Sequence, residues 1–162
     1  MHIRRAKPLE YRTLTEISFA SKRYWNYPDT YFEIWRDELT LTEKYIVDND
    51  VFVFEQNNVV IGYYSIVTLQ RDIVVSGIKF PKGDWLDHMF VMPKFLRQKI
   101  GSEMCKHVKT FCKENYLTQL HVLADPNSRG FYEKMGFEYQ KEYPSTISGR
   151  TTPLLIIQLK KI

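Results

Sequence analysis

The residues best placed for chemistry lie between Lys94 and Ser102, where Lys94, Arg97 and Lys99 surround a turn that runs into Ile100-Gly101-Ser102. From Gly101 onward, Met104, Cys105, Val108, Phe111 and Cys112 recur at helical spacing on one face. A turn that opens directly into a helix leaves the first backbone N–H groups unpaired and aims them at one place, where the helix dipole favours negative charge. The basic side chains add to that field. The pattern is that of a phosphate site built mainly from main chain.

Positioning such a turn takes a strand on each side. Trp85 to Val91, bounded by Asp84 and Pro93, has the length and composition of a buried strand. Its alternation places Trp85, Asp87 and Met89 on one face and Leu86, His88 and Phe90 on the other. Leu120 to Ala124 reads as a second buried strand, followed by Asp125-Pro126-Asn127-Ser128-Arg129-Gly130. Asn127 or Ser128 is expected to cap a short helix that ends at Gly136. Strand, helix, strand in this order predicts a parallel pair with a right-handed crossover, and ligands of such sheets bind at the carboxyl ends of the strands, here Val91 and Ala124.

Val91-Met92-Pro93 followed by Leu96-Arg97-Gln98-Lys99-Ile100-Gly101 resembles the acyl-CoA-binding motif of the GNAT superfamily of N-acetyltransferases, a V-x-P and then R/Q-x-x-G-x-G/A. Gly101 is the second glycine. Lys99 stands at the first and Leu96 at the leading Arg/Gln. Phe131-Tyr132-Glu133-Lys134-Met135-Gly136-Phe137 is similar to the FYeklGF signature of the same superfamily. Pro144 to Arg150 with Pro153-Leu154-Leu155, and Tyr24-Trp25-Asn26-Tyr27, resemble a poorly characterised bacterial subgroup, so the likeness spans nearly the whole chain. It implies an α/β (α+β) acyl-CoA N-acyltransferase fold, a central twisted mixed sheet flanked by helices. It also implies transfer of acetyl from acetyl-CoA to a primary amine by direct attack.

The resemblance assigns roles. Arg97, Gln98, Lys99, Ile100, Gly101 and Ser102 would hold the CoA pyrophosphate, with Met89, Phe90 and Val91 on the strand and Asn127 on the pantetheine arm. A side chain at 99 is expected to be tolerable only where the backbone does not need a positive φ. Tyr132 would protonate the departing thiolate. Asp87 is the first candidate for deprotonating the amine and His88 the second, while a backbone amide near Met89 or Phe90 would polarise the carbonyl. Trp25, Tyr27 and the 145–150 loop would form the acceptor pocket, with Arg150 available for a carboxylate or phosphate. A small-molecule or peptide amine fits equally. A non-catalytic acyl-CoA sensor is the alternative, favoured by Lys99 and opposed by Tyr132.

Composition bounds these readings. The 162 residues suit a single domain, 1–162, and 44% hydrophobic content suits a packed core. No apolar run approaches the ~20 residues of a membrane span. The N-terminus MHIRRAKPLEYR lacks the apolar stretch of a secretory signal, and Cys105 and Cys112 read as buried reduced thiols, so a cytoplasmic setting is expected. A net charge of +4 favours an anionic ligand but is too small to argue for nucleic acid, and the aromatics are spread through core strands. Scattered histidines and cysteines give no metal set. A homodimer stays open.

Elsewhere the patterns predict strands at 2–6, 51–54, 59–67, 136–142 and 152–160, with a hairpin at Asn57-Asn58 and a further strand within 71–80. Helices are predicted at 8–21, 29–39 with Asp29 as cap, and 43–47 capped by Thr42. His121 reads as a satisfied core histidine and His107 as solvated.

Overall fold

The structure, a computed structural model, describes residues 1–159. In chain order it comprises β1 (His2–Arg5), α1 (Tyr11–Arg23), α2 (Asp29–Leu39), α3 (Glu43–Asp48), β2 (Asp50–Gln56), β3 (Val59–Leu69), β4 (Ile73–Val75), β5 (Ile78–Phe80), β6 (Gly83–Val91), α4 (Ile100–Glu114), β7 (Gln119–Leu123), α5 (Arg129–Lys134), β8 (Glu138–Pro144) and β9 (Thr151–Gln158). Seven strands form one mixed sheet in the order β1-β2-β3-β6-β7-β9-β8, and β4-β5 form a separate hairpin. The chain divides into two compact units, 1–66 with 88–104, and 67–87 with the chain from 105 onward, so each unit takes one half of β6.

In the first unit, β1, β2 and β3 are antiparallel neighbours. The β2–β3 hairpin turns at Asn57 (φ 52°) and Asn58 (φ 62°), the left-handed pair that a tight two-residue loop demands and that asparagine tolerates. Leu14 and Ile17 of α1, Leu41, Ile46 of α3, and Val51, Val53 and Tyr63 of the strands form its core. Arg4 binds Glu10 and Glu55, each at 2.6 Å, tying β1 to the turn before α1 and to β2. Thr42 caps α3 by accepting from the Tyr45 N–H at 3.1 Å.

In the second unit, β6 and β7 are parallel, pairing Trp85 with His121 and Leu86 with Val122. β9 is antiparallel to both β7 and β8. The α4 residues Cys105, Val108, Phe111 and Cys112 are buried, as are Leu120, Val122, Leu155 and Ile157. Gly136 sits just past α5 at φ +99°, where a glycine C′ ends a helix without steric cost.

Several elements differ from the sequence expectation. The helix expected from Pro8 starts as a 3-10 turn over Pro8–Glu10 and becomes α1 only at Tyr11, running on to Arg23. Asp29 lies inside α2, whose N-cap is Pro28. Neither Asn127 nor Ser128 caps α5 with its side chain. Asp125 instead accepts from the Asn127 N–H at 2.9 Å, because Pro126 opens a 3-10 turn over 126–128. The 71–80 segment holds two short strands. The last expected strand runs from Thr151 to Gln158, and Lys160 lies outside the described residues.

Candidate functional site

In the first unit, β6 ends at Val91 and the chain turns through Pro93–Phe95 before α4. Ser21 of α1 donates to the Val91 carbonyl at 2.9 Å, and the Met92 N–H donates to the Ile61 carbonyl at 2.8 Å, so the strand end is held from two sides. Gln98 Nε2 donates to the Lys94 carbonyl at 3.3 Å and folds the turn on itself. α4 begins with the Glu103 N–H donating to the Lys99 carbonyl at 3.1 Å. Among the described residues, no backbone carbonyl accepts from the N–H groups of Arg97 through Ser102. The run therefore presents successive donors at a helix start, beside the exposed side chains of Lys94, Arg97 and Lys99. This is the chemistry of an anion site.

The backbone of that turn corrects one expectation. Lys99 has φ 63° and Arg97 has φ 61°, so both adopt the left-handed conformation. A side chain there costs roughly 1–2 kcal/mol per residue through the clash of Cβ with the following carbonyl. Lys99 thus occupies a glycine-type conformation without being glycine.

Met89 and Phe90 are half-buried on β6, and Val91 is buried. His88 lies in the same half-strand, its Nδ1 2.8 Å from the Tyr63 hydroxyl and its ring stacked on Tyr45 at 5.8 Å. Tyr63 in turn meets Ser18. The alternation of β3 shows Ser65 as a polar residue in an apolar run, and Ser18 likewise interrupts the apolar face of α1. Those interruptions are the sequence signal for this buried polar group, which sequence reasoning missed. Trp25 is 40% exposed and packs edge-on against Tyr24. Tyr27 is half-buried within an aromatic group, 5.9 Å from Tyr31 and 5.1 Å from Trp35, with the Lys22 ammonium 4.8 Å from the Trp35 ring centre. Trp25 and Tyr27 therefore belong to the α1–α2 corner, near the chain that Ser21 ties to Val91.

In the second unit, Tyr132 is 6% exposed on α5, edge-on to Phe131 at 5.2 Å and to Phe137 at 5.4 Å. Burial, then the neighbouring Cys105 and Asp125, push its phenol well above the ordinary value. The phenol stays protonated at neutral pH. Burial likewise pushes the Cys105 thiol up to about 11. Asp87 is exposed. Asn127 Nδ2 donates to Asp125 at 2.9 Å, and Arg150 lies 3.8 Å from the other Asp125 oxygen. Asp125 thus brings Asn127 and Arg150 to one place. His121 stacks on Trp85 at 4.6 Å, with Nδ1 3.1 Å from the Asp84 carbonyl. His107 is half-buried, and desolvation lowers its pKa. Among the described residues no cluster of three or more His, Cys, Asp or Glu could hold a metal ion, and no helix is long and apolar enough to cross a membrane.

Comparison with curated proteins gives no match. Solved structures share the fold. The PaiA N-acetyltransferase of Thermoplasma acidophilum, in complex with coenzyme A, superposes with a TM-score of 0.73 at 17% identity, over 97% of this chain and 98% of that one. The ribosomal-protein-S18-alanine N-acetyltransferase of Escherichia coli gives 0.68 at 14% identity, over 99% and 95%. A GNAT-family acetyltransferase of Staphylococcus aureus Mu50 gives 0.69 at 17% identity, over 98% and 99%. At such identities the likeness is one of fold. The model of the acetyltransferase (GNAT) domain matches residues 40–145, which include β6, the amide run, α4 and Tyr132. On that match the chain belongs to the GNAT acetyltransferase domain family.

Proposed function

We propose that this protein is an N-acetyltransferase that moves the acetyl group of acetyl-CoA to a primary amine by direct attack. The observation that carries the reading is the run of N–H groups from Arg97 to Ser102 at the start of α4, within the family match. Pyrophosphate suits that run because main-chain donors and the helix dipole act on an anion together. Lys94, Arg97 and Lys99 add charge from the rim, and Asn127 serves the pantetheine arm. Acetyl-CoA supplies the activated thioester.

This chain's residues do the rest. The backbone of Met89 and Phe90 polarises the acetyl carbonyl. Tyr132, whose phenol burial holds in the protonated form, gives the departing thiolate a hydrogen bond and then its proton. Asp87 draws the acceptor ammonium and takes its proton, freeing the nitrogen lone pair for the attack. Trp25 and Tyr27 cover the apolar body of the amine, and Arg150, oriented by Asp125, receives an anionic group on it.

The test has two readouts. Coenzyme A should raise the melting temperature, since a ligand that binds only the folded state stabilises it by RT ln(1 + [L]/Kd). Pantetheine, which lacks the pyrophosphate, should raise it far less. Acetyl-CoA should then release thiol in the presence of amines drawn from amino-acid amides, aliphatic diamines and arylalkylamines. No stabilisation by millimolar coenzyme A would defeat the reading, and stabilisation without thiol release would turn it into that of a sensor.

A further inference from the structure

The peptide unit between Val91 and Met92 is held at both ends. Its carbonyl accepts from Ser21 Oγ of α1 at 2.9 Å, and its N–H donates to the Ile61 carbonyl of β3 at 2.8 Å. In a trans peptide these two groups share one plane and point in opposite directions, so bonds from both sides fix its rotation. Ser21 makes this contact by reaching out of its own helix. Thr15 and Ser18, also on α1, donate to the carbonyls four residues back, Tyr11 and Leu14, which is a common use of a helical hydroxyl. Ser21 instead reaches a carbonyl 70 residues along the chain.

Little freedom separates that peptide from the amide run. Met92 precedes a proline and sits outside the helical region, at φ −56° and ψ 131°. Pro93 opens the 3-10 turn through Phe95, where the Phe95 N–H donates to the Met92 carbonyl at 2.9 Å and the Leu96 N–H to the Pro93 carbonyl at 3.1 Å. Arg97 and Lys99 follow in their left-handed conformations. Packing closes the frame from β3. A Cβ built on Gly62 would lie 3.5 Å from Val91 Cα and 3.4 Å from the Met104 sulfur, so the end of β6 and the start of α4 press on one point. A rotation of the 91–92 peptide is therefore carried into the turn instead of being absorbed before it.

From this we infer that Ser21 is a positioning residue for the coenzyme. Through the Val91 carbonyl it sets where the N–H groups of Arg97 to Ser102 stand, and so how well they meet a pyrophosphate. The inference rests on the proposed binding of acetyl-CoA. Ser21 is itself no ligand of the phosphate; its effect passes through one rigid peptide and a short braced turn.

The experiment pairs isothermal titration of coenzyme A with amide hydrogen exchange of the free protein, for the wild type, Ser21→Ala and Ser21→Thr. Ser21→Ala should raise Kd about three- to tenfold, up to the factor that one neutral hydrogen bond represents. In the free protein the Met92 amide should lose more protection than the amides of the β2–β3 ladder, which report only the loss of stability. Ser21→Thr keeps the hydroxyl and should restore both. A role in stability alone would lower the melting temperature and leave Kd where it was. That result, a Met92 amide that changes no more than the ladder, or a Ser21→Thr protein as weak as Ser21→Ala would each overturn the inference. A wild type that does not bind coenzyme A defeats the acetyl-CoA reading and this role with it. A wild type that binds it, with Ser21→Ala unchanged, defeats this role alone.

Discussion

Gly62 of β3 lies so close to β6 that a Cβ added to it would stand 2.8 Å from the Phe90 carbonyl oxygen. The atom it would meet is backbone, which cannot rotate away. Gly62→Ala should therefore force the two strands apart, at the residue next to Ile61, whose carbonyl holds the Met92 N–H. A loss of about 1–3 kcal/mol is expected for such overpacking, a drop of roughly 2–12 °C in melting temperature for a chain of this size. Calorimetry measures it. An unchanged melting temperature would show that the strand end is less tightly fixed than this contact requires.

Lys99→Gly should raise stability. The left-handed conformation at φ 63° costs a lysine roughly 1–2 kcal/mol, and glycine removes that cost while adding about 0.4–1 kcal/mol of unfolded-chain entropy. The net gain should be about 0.5–1 kcal/mol, readable by urea denaturation. Coenzyme A affinity should fall at low salt, approach that of wild type at high salt, and so depend less steeply on ionic strength, because one rim charge is gone. Isothermal titration at two salt concentrations checks the second half.

Tyr132→Phe preserves the ring that packs edge-on against Phe131 and Phe137. It removes only the hydroxyl. The expected result is a kcat lower by roughly 10²–10⁴ with coenzyme A affinity unchanged. Because burial keeps the phenol protonated far above neutral pH, the variant should lose rate equally across the pH profile without losing a limb. Full kcat under conditions where chemistry is rate-limiting would reduce Tyr132 to a packing residue.

Glu10 carries the clearest pH dependence of stability. The Arg4 hydrogen bond holds its carboxyl below the ordinary range, and the Lys7 N–H at 2.7 Å adds to the effect. A depressed folded pKa contributes stability that is present above the unfolded value and is lost as pH falls through the folded one. Arg4→Gln should cost about 1.5–3 kcal/mol near neutrality, the range for hydrogen bonds to charged groups. The difference from wild type should shrink in acid below the usual carboxylate range. Paired urea titrations at neutral and acid pH would show whether the gap closes.

The parts of this molecule that were legible in the sequence are those governed by local pattern. The Asn57-Asn58 hairpin, the Thr42 cap and the Gly136 helix end each follow from the conformations that one or two residues allow. The amide run after β6 was legible for the same reason: a basic turn opening into an apolar-faced helix has few other shapes. The φ of Lys99 was not, because the choice between relaxed and left-handed backbone there is set by how Pro93–Phe95 and α4 are joined. Nor was the Ser18–Tyr63–His88 chain, which links α1, β3 and β6 across 45 and then 25 residues of sequence. Ser18 and Tyr63 look like ordinary core residues alone, and only the tertiary pairing joins their hydroxyls to the His88 ring.

The left-handed residues at Arg97 and Lys99 also bear on how an anion would be captured. A flexible turn that closed around its ligand would give up about 1–2 kcal/mol of backbone entropy per residue at each encounter. Here the conformation is set once, when the chain folds, and the cost is drawn from global stability instead of from each binding event. Occupancy then turns on diffusion and charge more than on rearrangement, and the cradle trades thermodynamic reserve for readiness.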